Sequence, residues 1–153
     1  MRIAFYAGSF DPFTNGHLNV VKKAAHFFFF FFIGIGINFE KKRRNDKNKM
    51  KEAIEKVLKR ENIPNTRVVI YEGLTTDVAL EYKSTFLIRG IRDTTDYGYE
   101  ETIAQINEQI SGLDTIYIRA GELGFVSSSM VTELHAHGKD VSKYVPKEII
   151  DIL

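Results

Sequence analysis

The sequence predicts a doubly wound α/β fold, a five-stranded parallel sheet with helices on both faces. Three observations lead there. Five short apolar runs, at residues 3–6, 28–37, 68–71, 86–88 and 116–118, are continuous rather than alternating, as in strands buried on both sides. Segments with apolar residues at helical spacing lie between most of them. The 44% hydrophobic content of the 153 residues suffices for one core, and no linker or internal repeat interrupts it, so residues 1–153 read as one domain.

The first run leads into Gly8-Ser9-Phe10-Asp11-Pro12-Phe13-Thr14-Asn15-Gly16-His17, and an amphipathic segment at residues 18–26 follows. That is a strand, a glycine-bearing loop and a helix with His17 in its first turn. Backbone N–H groups at a helix start lack internal partners and carry the positive end of the dipole, so phosphate settles there. Gly8 and Gly16 allow close backbone approach, and Asp11-Pro12 sets a turn between them. Six consecutive phenylalanines, residues 27–32, come next. They read as the last helical turn plus a buried strand, with an aromatic patch facing a partner subunit as the alternative. A turn residue is expected near Phe28 or Phe29, and none is present. Met50, Ala53, Ile54, Val57 and Leu58 then form a helical stripe. Tyr99, Ile103, Ile106 and Ile110 mark another helix, and Met130, Val131 and Leu134 a third.

Ligands of open parallel sheets bind beyond the carboxyl ends of the strands, so the residues after each strand matter most. The first strand is followed by residues 8–17, and the second by Asn38-Phe39-Glu40-Lys41-Lys42-Arg43-Arg44. The third is followed by Gly73-Leu74-Thr75-Thr76, the fourth by Arg89-Gly90-Ile91-Arg92, and the fifth by Leu123-Gly124-Phe125-Val126-Ser127-Ser128-Ser129. Cations, glycines and hydroxyls thus converge on one edge, as a polyphosphate site requires. Arg89 and Arg92 have bidentate geometry suited to phosphate. One of the three serines suffices to cap a helix, which leaves the others for a ligand. Asp96 and Glu100 are helically spaced, and Asp96 reads as a helix-surface or arginine-pairing residue. His135 and His137 face different ways on a helix and do not make a metal site; His26 reads as structural.

The formal net charge of +1 gives no drive toward nucleic acid or an anionic membrane. Cysteine is absent, which excludes disulfides and thiolate metal sites. No signal-peptide pattern opens the chain, and its longest apolar stretch is too short for a bilayer, so a cytoplasmic protein without membrane or nucleic-acid partners is expected.

The string from Gly8 to His17 resembles the signature of the nucleotidyltransferase superfamily. Thr14-x-Gly16-His17 is similar to its phosphopantetheine adenylyltransferase version. Lys41-Lys42, residues 87–92, Asp96-Tyr97-Gly98-Tyr99-Glu100 with Asn107, residues 126–129, Asp140-Val141 and Val145-Pro146 extend that resemblance along nearly the whole chain. It implies a Rossmann-like nucleotidyltransferase domain that transfers an adenylyl group from ATP to 4′-phosphopantetheine. Mg²⁺ would accompany the triphosphate without dedicated protein ligands, and no covalent intermediate would form. Dephospho-coenzyme A or coenzyme A would be product or inhibitor, and the assembly a homo-oligomer, by resemblance a hexamer. The resemblance further implies that His17 stabilises the pentacovalent phosphorus, Lys41 orients the attacking phosphate and Arg92 holds ATP phosphates; the demand of such a transfer for charge stabilisation reads His17 as charged. Ser9, Phe10, Gly90, Ile91, Glu100 and residues Leu123, Gly124, Phe125, Val126, Ser127, Ser128 and Ser129 would surround ATP. Ser9, Leu74, Thr75, Arg89 and Asn107 would line the acceptor side. The chain departs from the family pattern at Phe39, at Gly98, over residues 43–49 and in its phenylalanine run. Two alternatives stay open: another nucleotidyltransferase, or a nucleotide- or coenzyme-A-binding protein without turnover.

Overall fold

A computed structural model describes all of residues 1–153. Its sheet contains β1 (Ile3–Gly8), β2 (Phe30–Ile37), β3 (Thr66–Glu72), β4 (Phe86–Ile91) and β5 (Asp114–Arg119). Their spatial order is β3-β2-β1-β4-β5, and every pair is parallel. The chain therefore winds outward from β1 to β3, then crosses back to lay β4 on the other side of β1. The crevice at that reversal is where such sheets bind ligands. Helices α1 (Asn15–Ala24), α2 (Lys47–Arg60), α3 (Thr75–Glu81), α4 (Thr94–Ser111), α5 (Ser128–Ala136) and α6 (Lys147–Ile150) complete the fold.

Alternation along the strands divides the core. Ala4, Tyr6, Phe31, Ile33, Ile35, Val68 and Ile88 face a larger cluster with α1, α2, α5 and α6. Phe5, Phe32, Val69 and Leu87 face a smaller one completed by Ala79 of α3 and by Leu113. The smaller layer is tight over β2, because a Cβ at Gly34 would stand 2.5 Å from Phe5 Cζ and 3.0 Å from Tyr71 Cε1. Phe5 is fully buried against Phe32, Tyr71 and Tyr82 and has nowhere to move. We expect Gly34→Ala to destabilise the fold by about 1–3 kcal/mol through overpacking. An unchanged urea midpoint in that variant would show that the ring yields.

The phenylalanine run divides differently from the sequence expectation. Helix α1 begins at Asn15 and stops at Ala24, a 3₁₀ turn spans Ala25–Phe27, and β2 starts at Phe30 rather than Phe28. The missing turn residue is supplied from elsewhere in the chain. Asn65 donates its side-chain N–H groups to the carbonyls of Ala25 (2.8 Å) and Phe28 (3.0 Å), satisfying the polar groups of the turn. Phe28, Phe31 and Phe32 are buried, whereas Phe27 and Phe29 are 62% and 63% exposed. The stripe that marks α4 lies largely on its exposed side. Ile106 and Ile110 are 55% and 59% exposed and Tyr99 is 69% exposed, while Glu100 and Ala104 are the buried residues of that helix. No helix is long and apolar enough to cross a membrane.

Candidate active site

Two cavities open at the reversal point. The first, of about 270 Å³, is lined by the loop after β1, the start of α1, the end of β4 and the start of α5. Thr14 is the N-cap of α1, and its hydroxyl accepts the His17 N–H. His17 completes a capping box, because its Nδ1 accepts the Thr14 N–H at 2.9 Å. The remaining ring proton therefore sits on Nε2. The ring is wedged against Phe10 (centroids 4.9 Å) and Phe13 (5.5 Å). That burial, together with the nearby Arg89 and Arg92 guanidiniums, pushes the His17 pKa down to about 3. The sequence expects a charged histidine; the Thr14 N–H bond to Nδ1, together with burial and the two arginines, favours instead a neutral Nε2–H donor.

Arg89 lies within β4, not after it, as do Gly90 and Ile91. Its Nε and Nη2 donate to the two carboxylate oxygens of buried Glu100 (2.7 and 2.8 Å), and Nη1 donates to the Ala7 carbonyl. Ala7, Arg89 and Glu100 line both cavities, so this ion pair is the partition between them. The second cavity, of about 320 Å³, has largely apolar walls, including Phe5, Leu74, Leu87, Tyr99 and Ile103, with polar groups at Thr75, Thr76 and Asn107. Thr75 Oγ1 and the Tyr71 hydroxyl are hydrogen-bonded at 2.7 Å. Asp96 accepts the Arg92 backbone N–H (3.1 Å) and stands 3.6 Å from its Nε, the arginine-pairing role expected.

Of the residues singled out in the sequence, Ser9, Phe10, His17, Gly90, Arg92, Glu100, Leu123, Val126, Ser127 and Ser128 line the first cavity, with Arg89 and Glu100 shared. Leu74, Thr75 and Asn107 line the second. Lys41, Ile91, Gly124, Phe125 and Ser129 line neither. Lys41 is exposed on the loop after β2 and borders a separate cleft with Arg43 and Arg44. Phe125 packs edge-on against Tyr144 at 5.9 Å. The serines are less free than expected. Ser127 caps α5, Ser128 Oγ donates to the Pro12 carbonyl (2.7 Å), and Ser129 Oγ accepts from Arg44 (3.1 Å). Sequence reasoning missed Tyr6, Ala7, Thr14 and Val20 as lining residues. It also missed Asp11, whose place between two glycines in the loop and upstream of a basic run was the available signal. There is no cluster of three or more His, Asp or Glu that could hold a metal.

This arrangement offers neutral and cationic donors around one cavity and a mainly apolar trough beside it, which suits a phosphate-bearing ligand meeting a second substrate. A cytidylyltransferase-like family profile matches residues 5–134. A phosphopantetheine adenylyltransferase of Phocaeicola vulgatus is 44% identical over 148 residues, covering 96% of this chain and 97% of that protein. One of Lachnoclostridium phytofermentans is 39% identical over 155 residues, covering 100% and 94%. Among solved structures, a Vibrio parahaemolyticus protein assigned as a nicotinate-nucleotide adenylyltransferase superposes with TM-score 0.72 at 17% identity, covering 99% of this chain and 97% of that one. Such a distant likeness speaks for the nucleotidyltransferase fold alone. At 39–44% identity over nearly the full length, and with the motif and crevice described above, the chain belongs to the phosphopantetheine adenylyltransferase family.

Proposed function

We propose that this chain transfers the adenylyl group of ATP to 4′-phosphopantetheine, giving dephospho-coenzyme A and pyrophosphate. The observation that carries the reading is the pair of adjoining cavities that share Arg89 and Glu100. The phosphate-donor cavity suits the triphosphate, and the trough beyond the ion pair suits an acceptor with amides on an aliphatic arm. A phosphate oxygen of the acceptor attacks the α-phosphorus in line, the α–β anhydride bond breaks, and pyrophosphate leaves without a covalent enzyme intermediate. This chemistry asks the protein for positioning and charge stabilisation. His17 Nε2–H donates to the charge developing on the α-phosphoryl oxygens, and Arg92 holds the ATP phosphates. Arg89, fixed by Glu100, stands where donor and acceptor meet. Lys41, on the loop after β2 and outside both cavities, takes its role toward the acceptor phosphate from the family resemblance. Ser9, Phe10, Gly90, Ile91 and residues 123–129 surround the nucleotide, while Leu74, Thr75 and Asn107 contact the acceptor arm.

Mg²⁺ is proposed to arrive with the triphosphate, whose charge it neutralises. The nearby acids Asp96 and Glu100 are already paired with arginines. The exposed apolar face of α4 supports assembly into a homo-oligomer, hexameric if it follows the resemblance, and a cytoplasmic location goes with the ATP supply. The test is pyrophosphate release from ATP and Mg²⁺ with and without 4′-phosphopantetheine. Release is expected only with the acceptor. Binding of ATP without release for this or any other acceptor would replace the enzyme reading with that of a nucleotide-binding protein.

A further inference from the structure

The folded chain anchors the basic loop after β2 through one carboxylate. Asp11 is only 7% exposed. Its Oδ2 accepts the Arg44 N–H at 2.7 Å, and its Oδ1 accepts the Asn45 N–H and the Asn45 side-chain N–H, both at 2.9 Å. Arg43 Nη2 lies 3.7 Å from the same oxygen. A carboxylate is costly to bury without such partners, and here every one of them comes from the basic loop.

The arginines then return the contact. Arg43 donates to the carbonyls of Ser9 (2.6 Å) and Phe10 (3.2 Å). Phe10 has φ of 45°, a left-handed conformation unfavourable for a residue with a side chain, and these two bonds help to hold it. Arg44 donates to the Asp11 carbonyl (3.0 Å) and to Ser129 Oγ (3.1 Å), spanning from the phosphate-binding loop to the first turn of α5. Both elements also contribute lining residues to the first cavity.

We propose that Asp11 is a positioning residue, which docks the basic loop onto the phosphate-binding loop before substrate arrives, with Arg43 and Arg44 as the straps. The loop that carries Lys41 is thereby held against the phosphate-binding loop and the first turn of α5 before ligand arrives, instead of being ordered by it. This rests on the reading given under Proposed function, to which it adds the source of the loop's order.

Trypsin in the absence of ligand reads that order directly, because cleavage after Arg43 or Arg44 requires the segment to open. Asp11→Asn sets an amide N–H₂ against an N–H that Asp11 accepts, so donor faces donor. We expect cleavage at these bonds to quicken at least tenfold in Asp11→Asn. The KM for 4′-phosphopantetheine should rise roughly tenfold, more than kcat falls, the effect of losing a charge-assisted contact. Arg44→Ala, which leaves the buried carboxylate intact, should speed cleavage after Arg43 and raise the same KM, and it carries the test if Asp11→Asn fails to fold. Unchanged cleavage and unchanged KM would overturn the proposal, as would lowered stability with KM untouched. A wild type with no acceptor-dependent pyrophosphate release would overturn the reaction instead, and leave the cleavage comparison readable.

Discussion

Replacing His17 with alanine is expected to lower kcat by about 10²–10³-fold, the usual effect of removing one preorganised donor to developing charge. The KM values should move far less, because the donor's partner gains its charge in the transition state. The fold should survive, since Thr14 still caps α1 with its hydroxyl. A near-normal kcat in this variant would remove His17 from the mechanism. Its protonation state gives a second check. With a pKa near 3, His17 is neutral throughout the assay range, so its ring signals should not titrate by NMR between pH 5 and 8. The linkage sign follows. The unfolded chain binds a proton at this histidine below about pH 6.5 while the folded chain does not, so His17 lowers stability progressively as pH falls from about 6.5 toward 3. Titration near 6.5 in the folded protein would mean that the ring is charged in weak acid and that its Nδ1 has left Thr14.

Removing the partner of Arg89 should have the second largest effect. Glu100→Ala leaves the guanidinium at the partition between the cavities with only the Ala7 carbonyl as a protein partner. Breaking a fully buried pair costs about 3–5 kcal/mol, but the Arg89 side chain is partly open to water, so about 2 kcal/mol of stability is expected to be lost. Activity should suffer more, because a freed Arg89 loosens the wall common to both cavities. A fall in kcat/KM of about 10² is expected from misplacement on the 1 Å scale. Glu100→Gln, which can accept one of the two hydrogen bonds, should fall between the wild type and Glu100→Ala in both urea midpoint and kcat/KM. Equal behaviour of the three proteins would show that Glu100 does not position Arg89.

Much of this was readable from the chain alone. The continuous apolar runs identified all five strands, and the glycine-bearing loop before His17 marked one wall of the first cavity. Both are local features: strand burial is written in consecutive residues, and a helix start depends on a few residues around its cap. Arg92, Ser127 and Ser128 line the first cavity from the segments after β4 and β5, as the shared edge of parallel strands predicts, whereas Arg89 lies inside β4 and the role of Glu100 came only from the resemblance.

The tertiary structure decided what depends on distant partners. Asn65 closes a turn 40 residues away for which residues 27–32 hold no signal. The stripe that marks α4 in the sequence stays outside, with Ile106 and Ile110 exposed, while Glu100 and Ala104 are the buried residues of that helix. Periodicity fixes which residues share a face, but not which face meets the core. The protonation of His17 follows from its enclosure by two phenylalanines and from two arginines more than 70 residues along the chain. Asp11, read locally as half of a turn dipeptide, holds the loop after β2 through contacts 33 and 34 residues distant. Local sequence therefore specified the elements and the chemical types gathered at one edge, while the charge state and fixed geometry of those groups arose only when the sheet brought distant residues together.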